Sequence, residues 1–246
     1  MAADGLFQRL SASQAVEWGY LPRNPARPST VRGPRQAAPD IRPFRSWAEI
    51  EAVAEQAGTY GALIRFACAT GLRPEEWAAL TWADVDFGAR TLTVNKVWVR
   101  GELRTTEGKT DAAFRVISLQ EPGLAALRSL ARALDEKRLL FPAPGGGYIN
   151  LDNWRRRIWK KAIHASGIEY RPLYQMRHTF ATLALAAGAD LYWVSRQLGH
   201  ESIRTTLKHY ARFVPAIDDR NLRLLDEFAA RAAEGVSKVC HPEVTT

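Results

Sequence analysis

Six prolines fall within residues 21–45, at Pro22, Pro25, Pro28, Pro34, Pro39 and Pro43, and they divide the chain. Proline fixes one backbone angle, lacks an N–H and restricts the residue before it. A run at this density admits no regular element, so 21–45 reads as an extended linker. A short helical pattern, Leu6 to Trp18, precedes it within residues 1–20. Everything else the chain builds must come from residue 46 onward.

That remainder opens on Ser46-Trp-Ala-Glu49, a capping box before a helix. A second helix is predicted over about 60–69, stopping at Thr70-Gly71. Arg73 precedes Pro74, with Glu75 and Glu76 following, which puts Arg73 at a helix start with acids in the first turn. Alternating residues at 91–94 and 97–99 predict strands with a bulge or bend at Asn95-Lys96. Two more strands are expected at 102–105 and 114–119, with Lys109 in the turn between them. Helical patterns cover about 121–135, 151–166, 177–187, 190–198, 202–209 and 218–233. The fold class is mainly α with a small antiparallel β-sheet (α+β).

Composition narrows the partners. A hydrophobic content of 46% with eight tryptophans supplies a core, so the chain is a folded globule. The net charge of +8, with pI about 9.8, points to DNA. Arg23, Arg27, Arg32, Arg35, Arg42 and Arg45 accompany the prolines with only Asp40 in opposition. That segment reads either as a solvated tether or as a strap along a DNA backbone. Cys68 and Cys240 cannot make a disulfide framework, and no signal peptide or long apolar span is evident, so a cytoplasmic, nucleoid-associated protein without membrane insertion is expected. His178, His200 and His209 lack metal-ligand spacing, so neither a metal nor another cofactor is expected.

Arg73, Lys109, Arg177, His200 and Tyr210 form a set suited to one phosphodiester. Arginines bind non-bridging oxygens in pairs of hydrogen bonds, a lysine can protonate a leaving alkoxide, and a tyrosine can attack. The flanking residues carry a resemblance. Thr70-Gly-Leu-Arg-Pro-Glu-Glu-Trp-Ala-Ala-Leu-Thr-Trp-Ala-Asp84 is similar to the first box of the tyrosine recombinases, the phage integrase family. Arg177-His-Thr-Phe-Ala-Thr182 and Leu198-Gly-His-Glu-Ser-Ile-Arg-Thr-Thr-Leu-Lys-His-Tyr210 resemble its second box and nucleophile segment. The likeness spans roughly residues 46–215.

The resemblance implies a site-specific recombinase that cleaves and rejoins DNA through a 3′-phosphotyrosine, without metal or ATP. Arg73 and Arg177 would bind the phosphate, His200 would hydrogen-bond it, Lys109 would protonate the 5′-oxygen and Tyr210 would attack. Lys96 is the alternative to Lys109. Glu76 fits the family acid that supports the first arginine, and His178 a supporting histidine. His209 has no counterpart in the family pattern. One departure stands out: the family usually has a histidine three residues before the second arginine, helping to accept the nucleophile's proton. Here that position holds Tyr174, a catalytic position occupied by a poor base.

Arg155, Arg156, Arg157, Lys160 and Lys161 surround an apolar face of Trp154, Ile158 and Ala162, and the resemblance implies that this helix contacts DNA. The expected domains are residues 1–20, a remnant of the core-binding domain's last helix; 21–45, the linker; 46–216, the catalytic domain; 217–235, a C-terminal helix exchanged in trans; and 236–246, a flexible tail. Ala15-Val-Glu-Trp-Gly-Tyr-Leu-Pro-Arg-Asn-Pro-Ala26 resembles the exit of that last helix, so a fragment is expected. Partners implied are double-stranded DNA, further copies in a tetrameric synapse and an accessory directionality factor. Two other readings stay open: a catalytically impaired DNA-binding descendant of a recombinase, and type IB topoisomerase-like relaxing activity.

Overall fold

The computed structural model describes residues 12–23, 41–105, 114–130, 137–214 and 219–233. Lys109, most of the proline-rich segment and the expected tail lie outside them. The chain divides into Met1–Asp40 and Ile41–Thr246. In the first unit the described structure is one short helix, α1 (Ala12–Glu17).

The linker expected to run to residue 45 gives way to domain structure at Ile41. Ile41 and Phe44 are buried. The backbone N–H groups of Arg42 and Phe44 donate to Gln175 Oε1 and Thr179 Oγ1, each at 2.9 Å, and Arg212 Nη2 donates to the Ile41 carbonyl at 3.2 Å. Proline density misled here because burial of two apolar side chains does not need regular backbone.

α2 (Trp47–Gln56) starts at Ser46, whose Oγ accepts from the Glu49 N–H. α3 (Gly61–Thr70) is apolar almost all round and sits at the centre of the domain. α4 (Pro74–Trp77) follows it. The strands are β1 (Val85–Asp86), β2 (Thr91–Val94), β3 (Lys96–Val99), β4 (Glu102–Thr105) and β5 (Arg115–Ser118). They divide between two antiparallel sheets rather than one: β1-β2-β5, and a β3–β4 hairpin. The phase slip at Asn95 is where the chain leaves one sheet for the other. Arg100 and Gly101 both have positive φ, as a two-residue hairpin turn of the primed type requires.

α5 (Glu121–Arg128) is shorter than expected. The helix expected over 151–166 is α6 (Leu151–Trp154), a π-helical turn (Arg155–Trp159) and α7 (Lys160–Ala165). The wider turn lets Trp154 and Trp159, five residues apart, both face the core with their rings stacked 6.1 Å apart. Then come α8 (Gln175–Ala186), α9 (Leu191–Leu198), α10 (Ile203–Tyr210) and α11 (Asp219–Ala233). α3 packs against α2, α5 and α8, while α8, α9 and α10 pack on one another. No helix among the described residues is long and apolar enough to cross a membrane. On α11, Leu222, Leu224, Leu225 and Phe228 lie 56–65% exposed, so this apolar face is not part of the domain core.

Candidate active site

Two helix ends build the site. α3 stops at Gly71, with φ 68°, and α9 stops at Gly199, with φ 66°. At Gly71 a Cβ would lie 2.5 Å from the Phe180 ring and 2.8 Å from Leu198, so glycine is required there for space as well as for backbone angle. Each glycine turns its chain toward the other segment. The Gly71 carbonyl accepts from Arg177 Nη1 at 2.9 Å, and the Gly199 carbonyl from Arg73 Nη2 at 3.3 Å. Both helix stops thus hold the arginines that sequence analysis singles out.

Arg73 is the N-cap of α4, in extended backbone before Pro74. Glu76, one turn on and 3% exposed, accepts from the Arg73 N–H at 2.8 Å and from its Nη1 at 2.9 Å. The same carboxylate receives both terminal nitrogens of Arg115, each at 2.9 Å. Burial alone would raise the Glu76 carboxyl. The hydrogen bonds and charge of Arg115, with the charge of Arg73, reverse this and hold it at about 2. Glu76 therefore stays ionised and fixes two guanidinium groups.

Arg115 was not among the expected site residues. It also donates from Nε to the Gln197 carbonyl, tying β5 to α9. One signal was present: Arg115 shares the inward phase of β5 with buried Ile117, and a charge in a core phase needs a partner.

Arg177 lies in the first turn of α8, 1% exposed. Its Nε and Nη2 are buried without a hydrogen-bond partner among the described residues. Burial, followed by the charges of Arg73 and Arg115, lowers its guanidinium to about 10, with Tyr174 and Glu76 opposing. It remains cationic at neutral pH.

Tyr210 ends α10 at 1% exposure, with Oη 2.7 Å from His178 Nδ1. Its ring stacks on His200, whose Nδ1 is 2.7 Å from Thr206 Oγ1. Burial raises the Tyr210 phenol above its ordinary value, and the charge of Arg177 opposes. Burial, then Arg177 and Arg73, lowers His200 to about 3, so its imidazole is neutral. Tyr174 is half exposed, its ring 5.8 Å from the Arg177 guanidinium.

The structure thus brings together Arg73, Glu76, Tyr174, Arg177, His178, His200 and Tyr210, and adds Arg115. Lys96, the alternative to Lys109, is engaged elsewhere: its Nζ donates to Asp84 Oδ1 at 2.8 Å and Thr81 Oγ1 at 3.2 Å. No cluster of metal-ligating side chains occurs among the described residues.

The sequence model of the phage integrase family matches residues 48–215. The chain belongs to the phage integrase family. Its relatives include the Escherichia coli (strain K12) prophage integrase IntR, 28% identical over 67% of this chain and 46% of that protein. A Caldanaerobacter subterraneus tyrosine recombinase XerC-like protein is 26% identical over 85% of this chain and 61% of its own length. A protein of E. coli K12 named as defective, IntQ, is 28% identical over 64% of this chain and 46% of that protein. The chain spans about half the length of the curated relatives it matches. Among solved structures, the Tn1549 transposon integrase in complex with a circular intermediate DNA has a TM-score of 0.62 at 21% identity, covering 88% of this chain and 75% of that one. The XerA recombinase has a TM-score of 0.53 at 22% identity, covering 80% and 67%. These likenesses show that the fold is that of integrase-family catalytic domains.

Away from the buried cluster, the π turn leaves Arg155, Arg156 and Arg157 exposed in succession, joined by Lys160 and Lys161. Arg155 pairs with Asp152 at 3.0 Å, and Arg156 donates to Asn153 at 2.9 Å. Both interactions are solvent-facing and weak. The turn is held from inside by Trp159, whose Nε1 donates to the Arg171 carbonyl at 2.6 Å.

Proposed function

We propose that this chain carries the strand-transfer site of a site-specific DNA recombinase of the integrase type. The observation that carries the reading is the buried Arg177, cationic at neutral pH, with two donor nitrogens lacking partners among the described residues. A buried guanidinium with open donors is costly unless an anion completes it. A phosphodiester fits, because its two non-bridging oxygens match arginine's parallel donors. Arg73 supplies the second cation from the same pocket wall.

In this reading the chemistry needs neither metal nor ATP. The arginines neutralise charge growing on the phosphate oxygens, a preorganised electrostatic effect. Tyr210 attacks phosphorus, giving a 3′-phosphotyrosine that keeps the bond energy for rejoining. A free phenol is only about 0.1% ionised at neutral pH, so the proton must be taken during attack. Lys109, outside the described residues, protonates the 5′-oxygen. A 5′-bridging phosphorothiolate, which leaves without a proton, should rescue Lys109→Ala but not Arg73→Ala. Rescue of Lys96→Ala instead would move the role to Lys96.

Double-stranded DNA is the substrate, with the row from Arg155 to Lys161 on its backbone and the arginines of residues 21–45 as a strap. The exposed face of α11 docks on a neighbouring copy in a tetrameric synapse, and an accessory factor sets direction. Residues 1–20 read as the end of a core-binding domain.

The deciding experiment is incubation with a nicked suicide duplex of the cognate site, followed by denaturing electrophoresis. A covalent protein–DNA band that Tyr210→Phe lacks is expected. Retarded DNA without such a band would make the chain a DNA-binding protein with no cleavage.

A further inference from the structure

Tyr174 immediately precedes α8, and His178 stands one helical turn beyond it on the same face. Their rings meet edge to face, with centroids 5.2 Å apart. Position 174 is where the family resemblance expects the histidine that helps take the nucleophile's proton. The phenol found there is turned to another use, with its ring against the Arg177 guanidinium. One turn further on, His178 Nδ1 already holds Oη of Tyr210 at 2.7 Å, within the range for direct proton transfer.

We propose that His178, rather than the residue at position 174, is the general base of this chain and takes the Tyr210 proton as the tyrosine attacks. The proposal rests on the strand-transfer reading above. In this step the Oη–P bond forms and the P–O5′ bond breaks. The phenolic proton passes to Nδ1, and the departing 5′-oxygen takes a proton from the general acid. The imidazole must begin neutral, with its hydrogen on Nε2.

The surroundings fit a base that works only when substrate is present. The ionisable groups around His178 are Tyr174 at the start of α8, Arg177 on α8, and His209 and Tyr210 on α10, with His200 stacked on the Tyr210 ring. Burial, then the charges of Arg177 and His209, hold His178 at about 4. Burial at the same time raises the Tyr210 phenol. The resting pair is therefore held against early transfer, and no reactive phenolate forms in an empty pocket. A phosphodiester on Arg177 cancels the nearest of those charges and restores basicity to the imidazole as the new bond forms. Deprotonation is thereby tied to occupancy.

A hydrogen bond that only orients Tyr210 would leave its proton in place, and a chemical rescue separates the two roles. The measurement is the rate of covalent adduct formation on the nicked suicide duplex. His178→Asn puts an amide where Nδ1 stands; it can hold the hydroxyl but take no proton. The expected loss is roughly 100- to 10,000-fold. A ring-fluorinated tyrosine at position 210, whose phenol ionises near neutral pH, should restore most of the rate in His178→Asn and none of it in Arg177→Ala. Tyr174→His added to His178→Asn should also recover adduct, by returning a base to the same helix face. A wild-type rate in His178→Asn, or a loss that the fluorinated tyrosine leaves untouched, overturns the assignment. If His178→Asn does not melt cooperatively, the chain with His178 intact, carrying either tyrosine or the fluorinated tyrosine at 210, gives the answer on the phosphorothiolate duplex. There the fluorinated tyrosine should abolish the solvent deuterium effect, and an unchanged effect would remove His178 from the role. Absence of adduct from the unaltered chain on every duplex would instead sink the strand-transfer reading itself.

Discussion

The chain handles arginine in two opposite ways. Arg73, Arg115 and Arg177 are gathered around one carboxylate and two glycine carbonyls, with Arg115 and Arg177 buried. Arg155, Arg156 and Arg157 stand in succession on the outside of a helix, where Arg155 and Arg156 make only solvent-facing contacts with Asp152 and Asn153. The first group is held in place by folding, and Arg115 and Arg177 have lost their hydration as well, so an anion that enters need not wait for either. The second keeps its freedom and hydration, and gains mainly from releasing counterions. On the proposed function, rate falls to the first group and affinity to the second.

The largest effect should come from the buried group. Arg177→Ala or Arg73→Ala should lower adduct formation by roughly 100- to 1000-fold while DNA retention in a gel changes little. Equal losses in binding and cleavage would erase the distinction between the groups. Next is the carboxylate that holds the cluster. Glu76→Ala leaves Arg115 buried without its partner and should destabilise the fold by about 3–5 kcal/mol, read from denaturant unfolding. The sign with pH follows from the lowered value. With the folded group at about 2 and an unfolded glutamate near ~4.3, the Glu76 contribution is full above the unfolded value and is lost as pH falls toward 2. Glu76→Gln should flatten the acid side of the stability profile, and an unchanged slope would put the acid sensitivity elsewhere.

Legibility in the sequence followed the same division. The helix stops at Thr70-Gly71 and Leu198-Gly199-His200 were readable because capping is local chemistry, and they position most of the site. Arg115 was legible only as a charge in a core phase of β5, because its part in the site depends on Glu76, 39 positions away in sequence. The π turn was hidden for a like reason: it answers to the Arg171 carbonyl and to the stacking of two tryptophans. His178 read only as a supporting histidine, because its contact with Tyr210 depends on the packing of α10. Positions whose role is set by a distant partner are the ones that periodicity cannot reach.

The exposed row gives the third test. Replacing Arg155, Arg156 and Arg157 with alanine should weaken binding across sequences alike. It should reduce the slope of log K against log salt by roughly 0.9 for each phosphate no longer neutralised. Adduct at saturating protein should still form at the original rate; a slower rate there would join the row to the catalytic group. The smallest effect is expected at α11. Leu225→Asp with Phe228→Asp should leave the unfolding temperature of the isolated chain unchanged, since both side chains are more than half exposed. The same variant should lose higher-order complexes on DNA. A clear drop in melting temperature would return this helix to the domain core.

Where the polypeptide crosses into the domain, its backbone is fastened on two sides. Arg42 and Phe44 are hooked to α8, the helix carrying Arg177 and His178, and Ile41 is hooked to Arg212, two residues past Tyr210. Ile41 also packs in the same small apolar cluster as Tyr210. A pull applied at Ile41 is therefore felt by α8 and by the turn after Tyr210 together with the main core, which Phe44 enters. On the proposed function, the threshold of the domain is mechanically a handle on the strand-transfer site.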